Sequence, residues 1–240
     1  MLPLTSRISL YSLVILVAGF VAGCDGDGPK APADSGAPTA DGGSQCSMFE
    51  DDQALTINVT ITNNTSAAIY LGQQEGTCGA TSLFHVDNAA GRTLRQLPFC
   101  RNPCEAAMRG QPYGCPALCQ LANTITLQPG ESTKPTWDGL YSVNSALAQA
   151  CSPSGQSVVC DRAEQIQPGT FTFVAQAGTE LNCAGALDCN QCTVISAGGC
   201  STPGALTSGM TLTAQQTVDL DATYGVGGTG TKTVKIVFTN

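Results

Sequence analysis

The chain has 240 residues, with ten Lys and Arg against eighteen Asp and Glu, a net charge of −8 and only 12% charged residues. An acidic chain without a basic cluster is excluded from nucleic-acid binding on electrostatic grounds and gains nothing from an anionic lipid surface. Thirteen cysteines beside a single tryptophan shift the burden of stability from a large apolar core towards covalent cross-links.

The first element is MLPLTSRISLYSLVILVAGFVAGC, in which Arg7 is the only charge ahead of an apolar run from Ile8 to Ala22. A basic segment followed by an apolar one of this length predicts a secretory signal, too short for a comfortable membrane span. The run closes on Val21-Ala22-Gly23-Cys24. This tetrad resembles the lipobox of bacterial lipoproteins, where a branched residue and two small ones precede a cysteine that is diacylated before cleavage. The resemblance implies a signal peptide over 1–23 and a mature N-terminus at Cys24, the modified residue. Its acyl chains, palmitate among them, would hold the protein in a membrane of the bacterial cell envelope, inner or outer being left open. Each buried CH₂ contributes roughly 0.8 kcal/mol to such an anchor. Removing 1–23 takes away one positive charge, Arg7, so the mature net charge becomes about −9.

Residues 25–45, DGDGPKAPADSGAPTADGGSQ, contain no branched apolar or aromatic residue. Nothing there offsets the entropy of ordering, so a flexible tether is expected, reaching roughly 25 Å root-mean-square. A single domain is expected from Cys46 to Asn240.

Glu50-Asp51-Asp52, at the entrance of that domain, is read as a solvated acidic edge. ALTINVTIT then alternates Leu55, Ile57, Val59 and Ile61 against Thr and Asn, which is a strand with one buried face. Asn63-Asn64 supplies a turn and AAIYLG a returning strand. SLFHVDN and GRTLRQL form a hairpin around residues 88–91, with the only histidine, His85, facing solvent between Phe84 and Val86.

The stretch CRNPCEAAMRGQPYGC, with Cys119 beyond it, forms a first cysteine-rich insertion at 100–119. Asn102, Pro103 and Glu105 have the order of an N-cap, a first helical residue and a capping-box partner, placing Cys104 inside a short helix. A C-x₃-C pair of pairs lies within the range of zinc knuckles, but thiols of an exported chain oxidise before they meet scarce metal. The spacing is similar to the α-hairpinin pattern of two helices clamped by concentric bridges. That similarity implies the pairs Cys100–Cys119 and Cys104–Cys115.

TITLQPGES puts Ile125 and Leu127 on one face before a Pro-Gly turn. Trp137 in PTWDGLY is read as a core or corner anchor. VVCDRAEQIQPGTFTFVAQ repeats the strand-turn device with Phe171 and Phe173 facing one way. A second cysteine-rich insertion follows at 183–200. Its Cys189-Asn190-Gln191-Cys192 is read as structural, because no helix follows to lower a thiol pKa. MTLTAQQTVDL, with Asp219 ahead of Asp221, and TKTVKIVFTN, with Val234, Ile236 and Phe238 on one face, are the last strands.

Twelve cysteines besides Cys24 are disulfide candidates: 46, 78, 100, 104, 115, 119, 151, 160, 183, 189, 192 and 200, that is Cys46, Cys78, Cys100, Cys104, Cys115, Cys119, Cys151, Cys160, Cys183, Cys189, Cys192 and Cys200. The even number in an exported chain predicts a disulfide framework. Seven to nine short alternating strands and no long 3.6-residue period predict an all-β fold, an antiparallel β-sandwich carrying the two disulfide-stapled insertions.

NVTITNNTSAAIYL, ITLQPGESTKPTWDG and IQPGTFTFVAQ together resemble the immunoglobulin-like fold of the bacterial intracellular proteinase inhibitor family. That family lacks the two cysteine-rich insertions, and no inhibitory residue is carried over from it.

The sequence has no nucleophile elbow, zinc-hydrolase motif, Walker loop or dinucleotide loop. No cofactor, metal or enzymatic activity is expected. The reading is a lipid-anchored binding or structural module with a protein or glycan partner. The alternatives are a protease inhibitor presenting the 100–119 loop and a thiol-redox protein using Cys189 and Cys192.

Overall fold

The computed structural model describes residues 46–72, 82–97, 100–111, 123–183, 192–221 and 231–240. The alternating run at the domain entrance forms β1 (Thr56–Asn63), which buries Ile57, Val59 and Ile61 as expected. Branched side chains repeating every second residue stand on one face of the pleat, so burying that face fixes the register. β1 is central in a four-stranded sheet. On one side lies β13 (Thr231–Phe238); on the other lie β5 (Ser132–Thr133) and β6 (Thr136–Trp137). Pro135 separates the last two, having no N–H for a ladder, while its carbonyl still accepts from the Val59 N–H at 2.9 Å. The β1–β13 pair is parallel, from Thr56 opposite Thr231 to Asn63 opposite Phe238. That departs from a purely antiparallel expectation. Strands from the two ends of a domain need no hairpin between them, so either direction is open.

The seven-stranded sheet runs β10 (Thr193–Val194), β11 (Cys200–Pro203), β4 (Asn123–Leu127), β2 (Ile69–Gly72), β9 (Gly169–Asn182) and β12 (Leu206–Leu220), with β3 (His85–Asn88) also paired to β9. AAIYLG therefore does not return along β1. It crosses to the second sheet, where β2 pairs with β4 and touches β9 at Tyr70–Gly178. Asn63 makes the crossing possible. Wholly buried, its Nδ2 donates to the carbonyls of Ala67 and Leu127, and its Oδ1 accepts from the Thr65 N–H and hydroxyl. Both polar atoms of the Asn63 side chain are thus satisfied without water. The β3 hairpin is present in its predicted place, closed by Gly91 N–H to Asn88 O and bridged at Asp87–Thr93.

Buried residues from both sheets form one cluster, including Val59, Ile61, Val234 and Ile236 from the first and Leu71, Val86, Leu127 and Phe173 from the second. The fold is all-β and mostly antiparallel, two sheets closed over a common core, with the β1–β13 ladder parallel. Phe173 is fully buried, with its ring 5.8 Å from Phe84 and 5.8 Å, edge-on, from Trp137. Trp137 donates its indole N–H to Leu140 O at 3.1 Å, the core-anchor role expected of it.

A third, two-stranded ribbon pairs β7 (Leu140–Leu147) with β8 (Val158–Gln165) over their full lengths. A second, smaller core lies against it, made of Phe49, Cys104, Leu147, Cys151 and Cys160. Among the described residues, the α-helix that packs on it is α1 (Cys104–Met108).

Candidate functional site

The residues singled out by the sequence converge where the chain enters the domain. Cys46 is bridged to Cys151, their Cα atoms 5.6 Å apart across 105 residues of sequence. A 3₁₀ turn, Ser47–Phe49, then drops Phe49 into the smaller core. Cys104, at the start of α1, is bridged to Cys160 on β8 with a Cα separation of 4.9 Å. The expected Cys104–Cys115 pair is therefore replaced by a bond from the insertion to the sandwich body. A buried Cys104 against a buried Cys160 removes two sulfurs from water, which a bridge within an exposed excursion would not do.

Cys192 is bridged to Cys200, eight residues on, and not to Cys189. Cys100 and Cys183 are disulfide-bonded as well. Cys24, Cys78, Cys115, Cys119 and Cys189 lie outside the described residues, and so does the expected Cys100–Cys119 pair.

Of the carboxylates at the entrance, Glu50 is exposed as expected, but Asp51 and Asp52 are not a solvated edge. Residues 50–53 run along β8, whose other side is taken by β7. Asp52 N–H donates to Ala163 O at 2.9 Å. In return, Asp51 Oδ1 accepts from Ala163 N–H at 2.8 Å and Asp52 Oδ2 from Gln165 N–H at 2.9 Å. Side-chain oxygens thus complete the ladder of an edge strand, protecting it from foreign pairing. Arg162 fixes the arrangement. Its Nη2 meets Asp52 Oδ1 at 2.8 Å, its Nη1 meets Glu164 Oε1 at 3.4 Å, and its Nε donates to Glu50 O at 2.9 Å. Arg101, from the insertion, pairs with the second oxygen of Asp51.

The expected N-cap is also displaced. Pro103 occupies that position without a side-chain bond. Asn102 instead donates its Nδ2 to Val159 O at 2.9 Å and its N–H to Asp161 Oδ2 at 3.2 Å, fastening the insertion to β8. Glu105 turns outward from the cap and accepts the Asp51 N–H at 3.2 Å. Tyr141 closes the cluster, its hydroxyl donating to Glu164 Oε2 at 3.0 Å. Burial raises the Tyr141 pKa above the usual tyrosine value, and the Glu164 bond and the negative charges of Glu164 and Asp52 add to the shift.

Chemically, this is a brace. Its carboxylates are spent on backbone N–H groups and guanidinium ions, which ties the entering chain, the first insertion and β8 together. Arg101 and Arg162 carry this role and were not foreseen. Their signal was the position of Arg162 inside an alternating strand, where a buried-edge arginine calls for a carboxylate partner.

The other candidates lie apart. His85 sits on the outer face of the seven-stranded sheet, 22% exposed, with its Nε2 3.8 Å from Asp87 Oδ2. Asp219 accepts from the Thr170 hydroxyl at 2.5 Å, and Asp221 lies one residue past the end of β12. Among the described residues, no three of His, Cys, Asp and Glu are grouped to hold a metal ion, and no helix is long and apolar enough to cross a membrane. Compared with protein-family models, with curated proteins and with solved structures, the chain matches none.

Proposed function

We propose that this chain is a lipid-anchored protein of the bacterial cell envelope, displaying an immunoglobulin-like sandwich as a non-enzymatic binding or structural module. In this reading 1–23 is the signal peptide, Cys24 carries the acyl chains, and 25–45 tethers the domain 46–240 to the membrane. The observation that carries it is the disulfide-stitched entrance. Cys46, the first cysteine after the tether, is locked to Cys151 beside a second buried bridge, Cys104–Cys160. Bridges of this kind persist in oxidising compartments, in keeping with export. They also put a covalent cross-link where any pull from the anchor reaches the fold. The first half of the 100–119 insertion is bridged and hydrogen-bonded to β8, which favours a braced element over a presented inhibitory loop.

Membrane fractionation of cells expressing the full chain and its Cys24→Ser variant tests this. The unaltered protein is expected in the membrane pellet, released only by detergent, and the variant in the soluble fraction or still carrying its signal peptide. Equal partitioning of fully processed forms of both would remove the lipid anchor.

A further inference from the structure

The second insertion ends in a feature remote from the entrance brace. The Cys192–Cys200 bridge closes residues 192–200, CTVISAGGC, into a ring without a charged side chain. Its first arm is β10, two residues long and the outermost strand of the seven-stranded sheet. Among the described residues β10 pairs with β11 alone, Thr193 opposite Ser201 and Val194 opposite Cys200. Ile195 follows, packed against the main core, so alternation turns the Val194 side chain to the opposite, outer face. There it is 82% exposed, more than any other large apolar side chain among the described residues.

The far side of the ring is held down. Lys134 N–H donates to Ala197 O at 2.7 Å, tying the ring to the segment between β5 and β6. Gly198 and Gly199 have φ +94° and +84°, and a Cβ on them would collide with Ser132 O and the Leu127 side chain respectively. Left-handed glycines therefore let the ring lie flush against β5 and β4. The backbone of the exposed arm is placed as well. Ile195 N–H donates to Gly199 O at 3.2 Å, and Ile195 O accepts from Gly198 N–H at 3.0 Å. Polar groups alternate sides along an antiparallel strand, so those of Val194 face away from β11. No described residue beyond β11 bonds them.

A rigid extended segment with one exposed aliphatic side chain and outward main-chain groups is what a serine endopeptidase grips in a substrate. The cleft takes the segment as an added strand, and a pocket takes the side chain before the scissile bond. Here that side chain is Val194 and that bond is Val194–Ile195. Because the ring is preorganised, docking costs little conformational entropy. Hydrolysis, adding water across the bond, would leave the new ends together: Cys192–Cys200 spans the break, and Ile195 keeps its seat on the core. A strand of another sheet is a poorer occupant, since a two-residue edge offers few ladder bonds. A small β-branched side chain matches the shallow pocket of an elastase, and not the acidic one of trypsin. The net charge of −8 favours encounter with a basic enzyme.

We propose that residues 192–200 present Val194 to an elastase-type serine endopeptidase and inhibit it as a slowly cleaved substrate mimic. This rests on the binding-module reading, to which it adds a partner, and not on the lipid anchor. The ring lies in an insertion that the resembled inhibitor family lacks, so no residue role is borrowed from that family.

Assays of a pancreatic-type elastase and of trypsin on small chromogenic substrates, with increasing full chain in a mild nonionic detergent, test this. The chain is expected to inhibit elastase competitively and to leave trypsin untouched. Val194→Asp is expected to weaken elastase inhibition by about tenfold or more, and Val194→Lys to exchange it for inhibition of trypsin. Both changes fall on an outward side chain, so the thermal midpoint is expected to stay unchanged. Elastase unaffected by the chain at about 10 μM overturns the proposal. So does inhibition indifferent to Val194, a Val194→Lys chain that inhibits neither enzyme, or rapid hydrolysis of the unaltered chain at Val194–Ile195. A dimer that Val194→Lys dissolves in sedimentation also overturns it, making a second copy the occupant of this edge. None of these outcomes alters the fractionation result, so the two readings fail separately.

Discussion

Replacing Cys104 and Cys160 together by alanine is expected to lower the unfolding free energy by about 4 kcal/mol, the chain-entropy value for a loop of this size. The bridge closes 56 residues, whereas Cys192–Cys200 closes eight, for which the same relation gives about 2.5 kcal/mol. The longer loop should dominate for a second reason. Cys104 and Cys160 are both buried in the smaller core, so the substitution also removes packing around Phe49 and Leu147. Urea unfolding under non-reducing conditions, with the remaining bridges intact, measures the difference. Limited proteolysis should report cleavage within 104–111 before the sandwich itself opens. A loss below about 1 kcal/mol would mean that the insertion is held by its polar bonds alone.

Phe173→Ala is expected to cost about 3–5 kcal/mol, the range for removing a buried aromatic ring. Phe173 touches Phe84 and Trp137 and sits on β9, the strand bonded to β2, β3 and β12. The cavity would lie between the two sheets, where β1 and β13 cannot collapse inward without breaking the parallel register that holds them. Trp137 is the sole tryptophan, so its emission reads this site directly. A red shift and a broader envelope are expected in the folded variant, together with a lower urea midpoint. An unchanged spectrum would place Trp137 elsewhere than against Phe173.

The strands were legible because burial of one sheet face writes itself as period two. Ile57, Val59 and Ile61, Phe171 and Phe173, and Val234, Ile236 and Phe238 all point inward as their alternation requires. Partnership was not legible. Nothing in AAIYLG distinguishes a strand that returns along β1 from one that crosses to β4, since both bury Ile69 and Leu71. The crossing is decided by Asn63, whose amide reaches Leu127, 64 residues away. Cys104 illustrates the same limit. Spacing along the chain speaks only of local pairs, and its partner on β8 is brought close by a ribbon that the sequence does not announce. Asp51 and Asp52 read as an acidic edge because their partners, Arg101 and Arg162, lie 50 and 110 residues away. The β-bulge of β12 between Ser208 and Thr211 was hidden for the opposite reason. Gly178 and the Ser208-Gly209 pair stand inside long strand patterns, where a glycine marks a bulge or a close approach without saying what it leaves exposed.

The proposed export means that the bridges and the anchor are acquired outside the cytoplasm, so the decisive measurement is mass spectrometry of the native protein after blocking free thiols without reduction. It should yield an N-terminal peptide beginning at a diacylated Cys24, cross-linked peptides joining Cys46 to Cys151 and Cys104 to Cys160, and no blocked cysteine. An unmodified residue 24 together with alkylated Cys46, Cys104, Cys151 and Cys160 would contradict it.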